Sequence, residues 1–193
     1  MSVAIACRVA GMIQNVSDAV GDFTITTDEL RAVARFVTES ASEVLPVFEE
    51  TEPDDRRPRT AIEAAWEFLN GANRTKRQRL TSVNAHRAAA EARTEAAQLA
   101  ARCAGDAAAA AYLHPILKAT QVGHILRAAA GAARVAELQA GNDPAAAVKS
   151  LARARRRATS VVIDVLSRYP NAPAGKSRVA NLMIELDSAL RAP

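Results

Sequence analysis

The chain has 193 residues, 49% of them hydrophobic but only 4% aromatic, and 25 Lys and Arg outweigh 21 Asp and Glu for a formal net charge of +4. That length suits one domain around a single core, and an alanine-dominated apolar content with few Gly and Pro excludes a strand-built fold in favour of closely packed helices. Cys7 and Cys103 stand far apart without metal-ligand spacing, which excludes a disulfide scaffold and fits a reducing cytoplasm.

Ile5, Val9, Met12, Ile13, Val16 and Val20 recur at helical steps and predict an N-terminal helix within residues 1–26, closing near Gly21. This stretch lacks a basic leader and Arg8 interrupts it, so it does not read as a signal peptide. No segment has the uninterrupted apolar length of a membrane span. Thr26 and Glu29 have capping-box spacing, and the apolar stripe from Leu30 to Phe48 makes the next helix long, with a kink or a stop expected at Pro46. Pro58 fits a first helical turn, with Asp54 or Asp55 as its cap, and that helix runs to about Asn70 before a left-handed stop at Gly71.

Thr75 to Tyr112 reads as two Ala-rich helices split near Arg93. Pro115 holds His114 extended, and a helix is expected from Ile116 to Ala140, closed by Gly141. Asp143 and Pro144 open a helix predicted to reach Tyr169, and a last one covers Val179 to Leu190. The expected fold is an all-α, single-domain bundle of seven or eight helices in orthogonal or layered packing, without a repeat. Residues 27–142 form its centre and residues 143–193 a C-terminal helical pair.

The run "DDRRPRTAIEAAWE" at 54–67 packs opposite charges against a helix start. Arg59 and Glu63 stand one turn apart and are expected to pair, while Arg56 and Arg57 are expected to reach Glu49 and Glu50. Together with "VLPVFEETEP" before it and "NAHRAAAEA", "AARCAGDAAAAAY" and "GHILRAAAGAARVAEL" after it, this run resembles immunity proteins linked to bacterial polymorphic-toxin systems. The resemblance covers about residues 36–140 and centres on Asp55, Arg57, Pro58, Arg59, Ala61, Ile62, Glu63 and His86. It implies a small helical protein that neutralises a cognate toxin by binding it. Where the family pattern places histidines, this chain has Asp106 and, nearby, Tyr112.

No nucleophile-base pattern, phosphate loop or nuclease carboxylate cluster is visible, so the chain is expected to be no enzyme and to need no cofactor. The three histidines, His86, His114 and His124, follow no zinc spacing. Asp55, Arg57, Arg59, Glu63 and His86 are the candidate interaction surface or structural polar cluster. The alternative is a small-molecule pocket near His86, or a nucleic-acid surface on the basic runs at 74–79 and 153–157, with Arg153, Arg156 and Arg157 as phosphate contacts. Neither basic run is interleaved with aromatics, which makes nucleic acid the weaker expectation; a homodimer is compatible with the pattern. Asp106, if buried, requires an arginine or hydroxyl partner.

Overall fold

A computed structural model describes residues 22–192. Among them the chain forms eight α-helices and no strand: α1 (Thr27–Thr51), α2 (Arg57–Leu69), α3 (Lys76–Glu91), α4 (Glu95–Ala109), α5 (Val122–Gln139), α6 (Pro144–Arg157), α7 (Ser160–Ser167) and α8 (Arg178–Arg191), with 3₁₀ turns at Ala110–Tyr112 and Ala119–Gln121. The all-α expectation therefore holds. The expected N-terminal helix and Cys7 lie outside the described residues.

Most helix starts follow the local chemistry. Thr26 Oγ1 accepts the Glu29 amide at 3.2 Å while Glu29 Oε2 accepts the Thr26 amide at 2.7 Å, closing the capping box. α1 then runs through Pro46 to Thr51, so the proline does not end the helix. Pro46 sits on the exposed side, where water can take up the carbonyl it leaves unpaired. Gly71 at φ 102° and Gly141 at φ 71° supply the left-handed stops, the second followed by Asn142 at φ 65°. The break between α3 and α4 falls at residues 92–94, where Thr94 caps α4.

Two boundaries differ from expectation. α5 begins at Val122 rather than near Ile116, because side chains capture the backbone donors ahead of it: Asp22 Oδ2 accepts the Leu117 amide at 2.6 Å and Gln121 Oε1 that of His114 at 3.2 Å. The helix expected from Asp143 to Tyr169 is two, α6 and α7. Ala158 is extended, and Thr159 Oγ1 accepts the Val162 amide at 3.3 Å to start α7 afresh.

α4 lies at the centre, packed against α1, α2, α3 and α5, while α5 also carries α6 and α8. Its faces are built from buried Ala97, Ala100, Ala101, Ala104, Ala107 and Ala108, which let neighbouring backbones approach closely. A Cβ at Gly131 of α5 would come within 2.6 Å of the Cys103 sulfur. Larger side chains, Phe36 and Phe48 from α1, Ile125 and Leu126 from α5, Leu166 from α7 and Leu182 and Leu186 from α8, fill the rest of one continuous core.

Candidate functional site

The charged run at 54–63 lies where the ends of α1, α2, α3 and α4 meet. Asp55 Oδ1 accepts the Arg57 amide at 3.0 Å and so caps α2 from two residues upstream, and the same carboxylate receives Arg57 Nε at 2.9 and 3.0 Å and Nη2 at 2.6 Å. Arg57 Nη2 also donates to Glu91 at the end of α3. Arg93, in the α3–α4 connection, donates through Nε and its backbone amide to Glu52 Oε1 at 3.0 and 3.1 Å, and through Nη2 to the Thr51 carbonyl. Two arginines thus lace four helix ends together. Hydrogen bonds from Arg57 hold the Asp55 and Glu91 carboxyls below their usual range, and those from Arg93 do the same for Glu52.

The pairing within this group differs from expectation. Arg59 turns away from Glu63 and forks onto both carboxylate oxygens of Glu49 on α1, while Glu63 has Arg56 at 3.8 Å. A bidentate partner across helices outcompetes a single contact along one exposed helix face. Two depressions flank this ridge. One of about 380 Å³ is lined by Asp54, Asp55, Arg56, Arg57, Thr60, Thr81 and Asn84, and another of about 490 Å³ by Glu52, Pro53, Asp54, Asp55, Arg57 and Arg93. Arg57 and its Asp55 partner form the wall between them.

His86 belongs to a different group. It lies on α3 facing α4, with Nε2 3.9 Å from Asp106 Oδ1. Asp106 is only 3% exposed and has its expected arginine, Arg127 of α5, with Nη1 at 3.6 Å, also beyond hydrogen-bond reach. Burial pushes the Asp106 carboxyl up to about 6 against the opposing pull of Arg127 and Arg102. Burial lowers His86, helped by the charges of Arg127 and Arg102. The need for a partner was legible from the sequence; its identity was not, because only tertiary packing brings α5 onto α4 at this point.

The basic runs are also rearranged. Arg157, expected as a phosphate contact, donates to Glu43 and, at 3.0 Å, to Ser40 Oγ, so it pins α6 to α1. Arg153 and Arg156 remain exposed without an acidic partner among the described residues. Near the other run, the guanidiniums of Arg74 and Arg79 each lie over the Tyr112 ring, 5.2 Å from its centroid, an aromatic contact that sequence spacing did not reveal. Among the described residues no group of three or more His, Cys, Asp or Glu could hold a metal ion, and no helix is long and apolar enough to cross a membrane.

No curated protein and no solved structure matches the chain. One family model does, over residues 24–161, which reaches beyond the quoted motifs at both ends to take in the α1 capping box and all of α6. With well over half of its length matched, and with the charged ridge, His86, Asp106 and Arg127 all inside the match, the chain belongs to the family described as Imm-5 like putative immunity protein.

Proposed function

We propose that this protein neutralises a cognate bacterial toxin by binding it in the cytoplasm, without catalysis, and that the ridge around residues 54–63 is where the toxin seats. The observation that carries the reading is preorganisation. Asp55, Arg57, Glu52 and Arg93 hold one another across four helix ends, so that exposed Asp54, Arg56, Arg59 and Glu63 stand on a frame that loses little freedom when a partner docks. The recesses on either side of Arg57 would receive partner side chains, and the mixed charge along the ridge would set orientation.

The test is direct binding to the product of a neighbouring toxin gene, with the triple variant D54K/R56E/E63K, which spares the Asp55–Arg57 and Glu52–Arg93 frame. At least about tenfold weaker binding by a folded variant is expected, roughly 1.4 kcal/mol. Unchanged affinity would move the interface elsewhere, and no binding by the native protein would remove the reading. Exposed Arg153 and Arg156 favour a second reading, a polyanion surface. Affinity for nucleic acid that collapses with rising salt and is lost in R153A/R156A would support it instead.

A further inference from the structure

Of the buried carboxylates among the described residues, Glu137 and Asp187 accept hydrogen bonds and Asp106 does not. Most guanidinium groups in the described bundle rest on a carboxylate, and most buried polar groups have hydrogen-bond partners. Asp106 is 3% exposed, yet Arg127 and His86 both face the same oxygen, Oδ1, from beyond hydrogen-bond distance. Arg102, one turn earlier on α4, is exposed, has no acidic partner among the described residues and adds its charge to the same spot. Two glycines make room for this arrangement. A Cβ at Gly105 would lie 2.8 Å from His86 Nε2, and one at Gly123 would collide with Arg127 Nη2. The side chains of His86 and Arg127 remain 42% and 45% exposed, so both reach solvent beside Asp106.

We propose that the surface between α3 and α5 beside Asp106 binds the oxyanion group of a small ligand, with Arg127 and Arg102 as its cations, uncharged His86 at its edge and Asp106, protonated on binding, as a hydrogen-bond donor to the anion. The carboxylate is the internal competitor of such a ligand. When an anion takes over Arg127, Asp106 loses the guanidinium nearest to it among the described residues and accepts a proton from solvent, so one charge enters as another is neutralised. Asp106 is poised for this, because burial already brings its carboxyl up to about 6. The charges acting on it are Arg127 from α5 and Arg102 from its own helix, while His86 of α3 faces it at 3.9 Å and is itself lowered by burial. Cys103, also on α4, stays a neutral thiol that donates to the Ala128 carbonyl, and its burial raises it further. His124 faces Arg127 and is lowered by burial, then by Arg127 and His114. α1 and α2, also packed on α4, contribute no charge to Asp106. Binding therefore strengthens as pH falls toward 6.

The experiment is calorimetric titration of the full chain with sulfate, which does not titrate in this range, and separately with succinate, each in two buffers of different protonation enthalpy at about pH 7.5. Saturable binding of either probe with uptake of about one proton per anion is expected, sulfate preference assigning a phosphate-type ligand and succinate preference a carboxylate. R127A and R102A should each weaken it at least about tenfold. D106N, with folding verified by its thermal transition, should bind as tightly or more so but without proton uptake. No saturable binding, binding by the native chain without proton uptake, or binding lost in R153A/R156A and kept in R127A would each overturn the proposal. Because this surface is separate from the ridge at 54–63, either assignment can fail while the other stands.

Discussion

At the scale of single residues, Asp106 sets the most informative stability experiment. Its carboxyl rises from an ordinary 3.8 to about 6 through burial, so the native state holds its proton more tightly than the unfolded chain. Stability from this group is present below pH 3.8 and is lost as pH rises through about 6, leaving a cost of roughly 3 kcal/mol at neutral pH. Asn keeps the shape and removes the ionisation, though Arg127 and Arg102 lose a nearby anion. We therefore expect D106N to be more stable than the native chain at pH 7.5 by roughly 1–3 kcal/mol, with the gap closing near pH 4. Urea denaturation of both proteins at the two pH values checks this; equal gaps at both would show that the charge is not what matters. The sequence made Asp106 conspicuous as a carboxylate among alanines. It could not reveal burial or the Arg127 contact, since those depend on which face of α4 meets α5.

At the scale of elements, the boundaries set by a local cap, proline or glycine were the legible ones. Thr26, Pro58 and Asp143 each act within four residues of themselves, and their local chemistry decides the outcome. The α6–α7 break at Ala158 escaped because an apolar stripe continues across it, and Thr159 resembles any helical threonine until its hydroxyl is seen capping Val162. The close pairing of α4 with α5 was implied by the alanine content, but its tightest point was not. A methyl added at Gly131 meets the Cys103 sulfur at 2.6 Å in a site buried on both sides, with no room to yield toward solvent. G131A should therefore destabilise by roughly 1–3 kcal/mol despite its better helix propensity. C103A removes the obstructing sulfur, so G131A/C103A should recover part of that loss in a double-mutant cycle by thermal denaturation. Strict additivity would place the strain elsewhere.

Across the whole molecule, charge pairs fasten helices whose alanine faces bury little area per residue. The ridge laces α1 to α4, and a second fastening links α4, α5 and α8 through Glu137, which is 4% exposed. Glu137 accepts Arg178 Nε at 3.1 Å on both oxygens and Arg134 Nη1 at 3.1 Å, while Arg134 reaches on to Glu95. Hydrogen bonds from Arg178, then Arg134, hold the Glu137 carboxyl below its usual range despite burial. Its sign is opposite to that of Asp106. A depressed carboxyl contributes stability above its unfolded pKa, and that contribution is lost as pH falls through the lower folded value; Glu29, Glu52, Asp55 and Glu91 share this sign. His86 and His124, both lowered, likewise cost stability as pH drops below their ordinary 6.5. Acid unfolding should therefore begin where these fastenings protonate, with α8 released first, because Glu137 and its arginines are its charged hold on α5. E137Q keeps the side-chain length but removes the charge, and we expect it to cost roughly 1–3 kcal/mol at pH 7. Hydrogen exchange should speed up in residues 178–191 of this variant while α1–α4 keep their protection. Uniform acceleration throughout the bundle would mean that the pair contributes to one cooperative unit rather than latching one helix.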